Sequence, residues 1–327
     1  MSRRGVWLTV LIVGGAVAAL GGSITLPYYS IGPGPARDVE PLIRIEGHPT
    51  YGSAGHFVLT SILFRQLTPF TAVAAWLDPD LAVVSRNALF APGESSQQEQ
   101  TRAISQMDQS KLDAASVVLK RLTGYPRQHG QGVLVESTQP GCAAQGRLFP
   151  GDLIRSVDGT EVDSVRQASR AIGGTQSGSK LAFDITVDGK PESVSLFRAP
   201  CGGDEKPLVG VRLMNSFPIG ISIATGDIGG PSAGLMFALG LYDLLTPGDL
   251  TGGRTIAGTG VIGVGGKVYP IGGVVEKMTA AADAGASVFL LPEGNLAAAR
   301  RAVRGRDLRL VPVSTFNDAL SWLRGNG

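Results

Sequence analysis

The chain of 327 residues is long enough for about two domains, and its 43% hydrophobic content argues against a disordered protein. Its formal net charge of +2 argues against a protein that binds nucleic acid or another polyanion. The three histidines and two cysteines show neither HExxH nor CxxC spacing, which nearly excludes a metalloenzyme. We therefore expect no metal, no cofactor and no nucleic-acid partner.

An apolar run at residues 6–26 follows Arg3 and Arg4 and contains no charged residue. A helix of this length reaches across a hydrocarbon core of ~30 Å. The two arginines before the run place the N-terminus in the cytoplasm. We predict a single-pass membrane anchor within residues 1–29, with the rest of the chain extracytoplasmic. The alternative is a cleaved signal peptide, since AVA at residues 16–18 offers a small-residue cleavage site.

Residues 30–124 combine extended runs with one long helical pattern. The extended runs lie at residues 42–45 and 56–63. Apolar residues then recur at three- and four-residue steps within residues 104–122, which is typical of an amphipathic helix. We predict that these strands, and a long helix ending near Gly124, pack with the C-terminal domain.

Short β-type runs broken by glycine occupy residues 125–200. Within them, PGCAA at 140–144, GDLI at 151–154 and DG at 158–159 stand in an order that resembles a PDZ domain. GQGV at 130–133 matches the carboxylate-binding loop of PDZ domains poorly, so the resemblance does not by itself imply binding of free C-termini. Residues 199–207 are rich in turn residues and are predicted to form a linker.

The PDZ-like arrangement places Cys142 at the start of its first helix and Cys201 after its last strand, two positions that can approach each other. Oxidation is favoured outside the cytoplasm. We therefore predict a disulfide between them, closing a loop of about 60 residues. The alternative is two buried, reduced cysteines.

The segment at residues 208–327 alternates strand-like and helical patterns, and its densest motif is GDIGGPSAG at 226–234. Glycines let the backbone approach a bound group closely, and Pro231 fixes φ at the entrance of a helix. Ser232 then lies where free N–H groups and the helix dipole can hold an oxyanion. The alternative role for Ser232 is that of a helix N-cap.

A serine nucleophile needs a base, and the three histidines all precede residue 130. The segment after residue 207 holds only Lys267, in a turn, and Lys277, in the first turn of an apolar, alanine-rich helix. Burial and the positive potential of the helix N-terminus both lower the pKa of Lys277 towards that of a usable base. The alternative is an ordinary surface lysine.

Taken together, GPSAG at 230–234 and PIGGVVEK at 270–277 resemble the proteolytic domain of Lon-type serine proteases, over residues 219–292. The resemblance implies a catalytic dyad of Ser232 and Lys277. The supporting positions are Thr259, which contacts the lysine in that family, and Gly230, Pro231, Ala233 and Asp227.

The chain departs from the Lon pattern in two ways. Many Lon-type domains carry an acidic residue three positions before the serine, where this chain has Gly229, with Asp227 as the nearest carboxylate. The ATPase motif GxxxxGK[ST] also fails at Gly266-Lys267, so proteolysis here is not expected to need ATP.

The whole layout resembles the membrane-anchored, PDZ-containing Lon-type proteases of Gram-positive, actinobacterial type. It implies an α+β fold: an N-terminal transmembrane helix, a small β-rich PDZ-like domain and a Lon-type proteolytic α/β domain. The expected activity is ATP-independent serine endopeptidase cleavage of unfolded or membrane-associated proteins, and the family also implies a hexameric ring. The alternative is a membrane-tethered PDZ adaptor whose protease-like domain is inactive.

Overall fold

The computed structural model describes Trp7 and residues 22–78, 80–303 and 307–326. The predicted anchor at residues 6–26 therefore lies mostly outside the described residues. Within the described ranges, no helix is both long enough and apolar enough to cross a bilayer.

Strands and helices alternate along the described chain in a mixed α+β fold, as predicted. The strands are β1 (Tyr28–Asp38), β2 (Ile43–Glu46), β3 (His56–Gln66), β4 (Ala82–Ser85), β5 (Val133–Thr138), β6 (Leu153–Val157), β7 (Thr160–Glu161), β8 (Lys180–Val187), β9 (Lys190–Phe197), β10 (Ala199–Cys201), β11 (Asp204–Leu208), β12 (Val211–Asn215), β13 (Gly220–Ile223), β14 (Thr255–Gly258), β15 (Val261–Ile262), β16 (Val268–Tyr269), β17 (Val288–Pro292) and β18 (Arg309–Val313). The helices are α1 (Pro69–Leu77), α2 (Arg86–Leu89), α3 (Ser96–Leu122), α4 (Val165–Gly173), α5 (Gly234–Leu245), α6 (Val274–Asp283), α7 (Leu296–Ala302) and α8 (Phe316–Gly325).

The central sheet is built from two distant parts of the sequence. Its order is β18-β17-β14-β3-β1-β4, with β14 parallel to both β3 and β17. The strands before the PDZ-like module and those after it each supply half of this sheet. Ile256 and Ala257 of β14 are fully buried, and an apolar strand buried on both faces needs a partner at each edge. Strand β3 supplies the second partner.

Two helices fill the space beside this sheet. In α5, every residue except Leu244 is buried, so the helix lies in the core, as its length predicts. Helix α3 packs on it through an apolar stripe that includes Met107, Val118 and Leu119. Ser95 and Gln98 form a capping box that starts α3, and the helix ends two residues before the predicted Gly124.

The PDZ-like module has a second sheet, ordered β12-β5-β6-β8-β9, and its own apolar core. Strand β12 pairs with β5, so this sheet extends to Asn215, beyond the end at residue 200 expected from the sequence. The predicted linker at residues 199–207 instead folds into the β10–β11 hairpin. Its turn residues made it resemble a linker, but they form the tip of the hairpin, where Gly202 and Gly203 adopt positive φ.

Cys142 and Cys201 are joined by a disulfide, with their Cα atoms 5.1 Å apart. The sequence predicts Cys142 at the start of a helix, but in the structure it lies in a run of turns. The bond ties these turns to the β10–β11 hairpin and staples the PDZ-like module at one edge.

Replacing both cysteines with serine is expected to lower the free energy of unfolding of this module by about 4 kcal/mol, because the unfolded chain regains the freedom of a long loop. Urea unfolding of the variant and the parent protein measures the difference. Reductant should destabilise the parent and leave the double variant unchanged. Equal stability of the two proteins would contradict the prediction.

Candidate active site

Ser232 lies in a single 3-10 turn, Pro231–Ala233, that leads directly into α5. Gly230, just before this turn, has φ of 88° and ψ of 152°, a conformation that glycine adopts without strain. The first turn of α5 has Ala233 at its N-cap position and no side-chain capping hydrogen bond. Ser232 therefore does not cap the helix, and its hydroxyl is available for another role.

Lys277 lies in the first turn of α6 and is only 3% exposed. Its Nζ lies 2.6 Å from Oγ of Ser232. Burial lowers the pKa of Lys277 from 10.5 to about 8, because an ammonium loses its hydration there. The surface-lysine alternative does not fit this position.

Two further oxygens surround the lysine amine. Nζ donates to the carbonyl of Thr60 at 3.1 Å, and it lies 3.4 Å from Oγ1 of Thr259. Thr259 donates its own hydroxyl to the carbonyl of Ser232 at 3.0 Å, so its oxygen is free to accept from the amine. A neutral amine can thus donate to both threonines and offer its lone pair to the hydroxyl of Ser232.

The carbonyl of Thr60 belongs to β3, far from the two motifs in sequence. No pattern in the sequence marks it, because the contact is made by backbone and depends on which strand lies beside α6. The carbonyl of Ser232 also accepts from the N–H of Gly260 at 2.7 Å. The backbone on both sides of the dyad is therefore fixed by strands of the central sheet and by the turn after β14.

Helix α3 holds the serine loop, residues 226–233, from the side opposite Lys277. The N–H of Gly230 donates to the carbonyl of Ala103 at 2.7 Å, and Ser110 donates to the carbonyl of Pro231 at 2.9 Å. A Cβ added at Gly229 would lie 2.7 Å from Cβ of Ala103 and 3.0 Å from its carbonyl carbon. The acidic residue that many Lon-type domains carry at this position therefore has no room here.

Gly229→Ala is expected to push the serine loop away from α3 and lower kcat/KM by about 10- to 100-fold, since a shift near 1 Å can cost this much. Steady-state cleavage of an unfolded protein measures the loss. Ala103→Gly in the same chain removes the shortest contact and should restore part of the rate. Gly265→Ala, which meets no atom within 4 Å, is the matched control. A Gly229→Ala protein as active as the Gly265→Ala protein would refute the steric role.

A cavity of about 780 Å³ opens over Ser232 and Lys277. Its walls are mainly apolar and come from β1, β3, α3, the serine loop and the segment before α6. Asp227 is exposed and lies on the wall of this cavity, and no hydrogen bond among the described residues joins it to Ser232 or Lys277. Within the same residues, no cluster of three His, Cys, Asp or Glu side chains could hold a metal ion.

A second cavity, of about 700 Å³, lies in the PDZ-like module between α4 and the edge strand β12. Val209, Gly210 and Val211 line it, a glycine between two apolar residues at the entrance of the edge strand. The run at 130–133 does not line this groove: Gly132 donates its N–H to Asp163 instead. The segment that lines this groove follows β11, whereas the sequence run compared with the carboxylate-binding loop of PDZ domains precedes β5.

Comparison with known proteins identifies both parts. Residues 212–323 match the Lon protease (S16) C-terminal proteolytic domain, and residues 116–186 match the PDZ domain. Lon protease 2 of Bacillus subtilis is 35% identical over 145 residues, 43% of this chain and 26% of that protein. Lon protease of Campylobacter concisus is 30% identical over 151 residues, 43% of this chain and 18% of that protein.

The chain thus covers about a quarter or less of the length of these relatives. Among solved structures, the PDZ domain of an SdrC-like protein from Listeria innocua is 26% identical, covering 25% of this chain and 92% of that one, with a TM-score of 0.24. The two family matches show that a Lon C-terminal proteolytic domain and a PDZ domain are present, and the Lon homology supports a serine protease.

Proposed function

We propose that this protein is a membrane-anchored, extracytoplasmic serine endopeptidase that uses a Ser232–Lys277 dyad and does not need ATP. The observation that carries the proposal is the 2.6 Å approach of a deeply buried lysine amine to the serine hydroxyl. A lysine with a pKa of about 8 is neutral in about a tenth of molecules at pH 7, far more than at the ordinary lysine pKa of 10.5.

In the proposed mechanism, Oγ of Ser232 attacks the scissile carbonyl while Nζ of Lys277 takes its proton. The resulting ammonium donates hydrogen bonds to Thr60 and Thr259, which hold it in place. It then returns the proton to the leaving amine. Water hydrolyses the acyl-enzyme with Lys277 acting as the base once more.

The developing oxyanion needs N–H donors beside Ser232. The sequence predicts free N–H groups around Ser232 for this role, with Gly230, Pro231 and Ala233 as the neighbouring positions. The N–H of Gly230 is already bonded to Ala103, and Pro231 has none. We assign the oxyanion to the N–H groups of Ser232 and Ala233, at the N-terminal end of α5.

Substrates are proposed to be polypeptides that are already extended, because the ATPase motif fails at Gly266-Lys267. The apolar walls of the cavity suit apolar side chains of such a polypeptide. Assembly into a hexameric ring remains part of the proposal through resemblance to Lon-type domains.

The test is cleavage of a casein-like unfolded protein by the full chain in detergent, without nucleotide, followed by mass spectrometry of the products. We expect peptide products from the parent protein and none from Ser232→Ala with a native circular dichroism spectrum. Added ATP should leave the rate unchanged. Full activity of Ser232→Ala, or activity only with ATP, would contradict the proposal.

The groove between α4 and β12 favours a second candidate, a membrane-tethered PDZ adaptor. An edge strand beside a helix can take up an extended peptide as an added strand. A protein that binds peptides but cleaves none of them from about pH 6 to 10, where a lysine of depressed or normal pKa becomes neutral, would favour the adaptor.

A further inference from the structure

Helix α1 is apolar on the side that faces solvent. Thr71 is its one polar residue, and Ala75 is its one buried residue. Phe70, Val73, Trp76 and Leu77 are between 52% and 82% exposed. A surface helix of a soluble domain normally turns such side chains inward, and a large exposed apolar patch indicates an interaction site.

This helix is part of a larger apolar surface at the end of the central sheet where β1 begins and β3 ends. We call it the apolar end and define it by Tyr28, Leu63, Phe70, Val73, Trp76 and Leu77, each at least 46% exposed. The sequence has no charged residue between Arg4 and Arg37, and none between Arg65 and Asp78. Five of the six residues of the apolar end lie in these two uncharged stretches, and Leu63 of β3 is the exception.

The apolar end also lies where the predicted anchor joins the folded chain. The N–H of Leu26 donates to the carbonyl of Leu67 at 2.7 Å, and the N–H of Leu67 donates to Tyr28 at 2.9 Å. Helix α1 begins two residues after Leu67. A bilayer that holds residues 6–26 would lie next to this surface.

We propose that the apolar end rests on the lipid bilayer, with α1 lying in the interface and Trp76 among the headgroups. Tryptophan and tyrosine favour this depth, and Phe, Val and Leu side chains on one helix supply apolar area to bury there. The proposal rests on the membrane anchoring proposed above. It goes further, because a flexible tether alone would leave this surface in water.

Contact of the apolar end with the bilayer would also orient the active-site cavity relative to the membrane. Leu63 belongs both to the apolar end and to the wall of the cavity over Ser232. One wall of that cavity therefore lies close to the bilayer surface. Polypeptide segments next to the membrane reach the dyad first.

The test places an environment-sensitive fluorophore on Val73→Cys in the full chain, reconstituted in phosphatidylethanolamine–phosphatidylglycerol vesicles. The two native cysteines are bonded to each other, so the added cysteine is the thiol that reacts. Brominated acyl chains should quench its emission by more than half. Arg301→Cys, exposed on α7 beside the sheet edge opposite β4, is the control and should not be quenched.

The outcomes distinguish the seating of the apolar end on the bilayer from the N-terminal membrane anchor. Protein that floats with the vesicles but shows no quenching at position 73 overturns the bilayer seating and leaves the anchor intact. Protein that fails to float overturns both. Efficient cross-linking of Val73→Cys between copies, without quenching, assigns the apolar end to a protein–protein contact and also overturns the proposal. Quenching in a Ser232→Ala background should be unchanged, because it does not depend on cleavage.

Discussion

Lys277→Met is expected to lower kcat/KM for an unfolded protein substrate by about 10³-fold or more, because the serine loses its general base. Methionine fills a similar volume and carries no proton acceptor of useful basicity. The Ser232→Ala, Lys277→Met double variant should be no slower than either single variant, since the two groups act as a unit. Steady-state kinetics of the three variants measures this.

Unfolding does not explain such a loss. A charged lysine is unfavourable in the buried site, so Lys277→Met should not lower the free energy of unfolding at neutral pH. Lys267→Met, an exposed lysine of the same domain, is the matched control and should keep parental activity. Equal rates for Lys277→Met and Lys267→Met would remove the lysine from the mechanism.

Below pH 8, kcat/KM is expected to fall by about tenfold for each pH unit, because only neutral Lys277 can accept the proton of Ser232. The midpoint should lie near the lowered pKa of about 8. A stopped assay with a fluorogenic peptide from about pH 6 to 10 measures the profile. A rate that stays flat across this range would contradict the role of Lys277 as the base.

Stability changes in the opposite direction over part of this range. Burial raises the pKa of Glu40 to about 8 and that of Asp113 to about 7. A folded-state pKa above the unfolded value favours the protonated native protein, so this stability is lost as pH rises towards those values. Between about pH 6 and 8, an activity that increases with pH is therefore not explained by these two carboxyl groups stabilising the fold, and the lowered pKa of Lys277 increases stability mainly above about pH 8. Unfolding curves of the parent and Glu40→Gln at each pH provide the control.

Local sequence was sufficient for much of the candidate site. Ser232 and Lys277 each lie in a short motif, and the glycines and helix start of each motif can be recognised from neighbouring residues alone. The two side chains, 45 residues apart in sequence, are in contact in the structure. The stripe of α3 was also visible, because a helical period is a local property. The two motifs meet in the folded chain because β14, which lies between them in sequence, pairs within the central sheet.

Contacts between distant parts of the chain could not be predicted in the same way. The carbonyl of Thr60 reaches Lys277 because β3 pairs with β14, a partnership between residues about 200 positions apart. Gly229 looked like a lost acidic residue, whereas it is the place where Ala103 of α3 packs against the serine loop. Strand pairing and helix packing across such distances leave no local period in the sequence.

The most direct test of the dyad is covalent labelling of the full chain with a fluorophosphonate, followed by peptide mapping by mass spectrometry. If Ser232 and Lys277 form the dyad, we expect a single adduct on Ser232, formed faster as pH rises towards about 8 and nearly absent in Lys277→Met. A chain that cleaves protein while Ser232 stays unlabelled, or one that labels equally well without Lys277, would contradict the dyad.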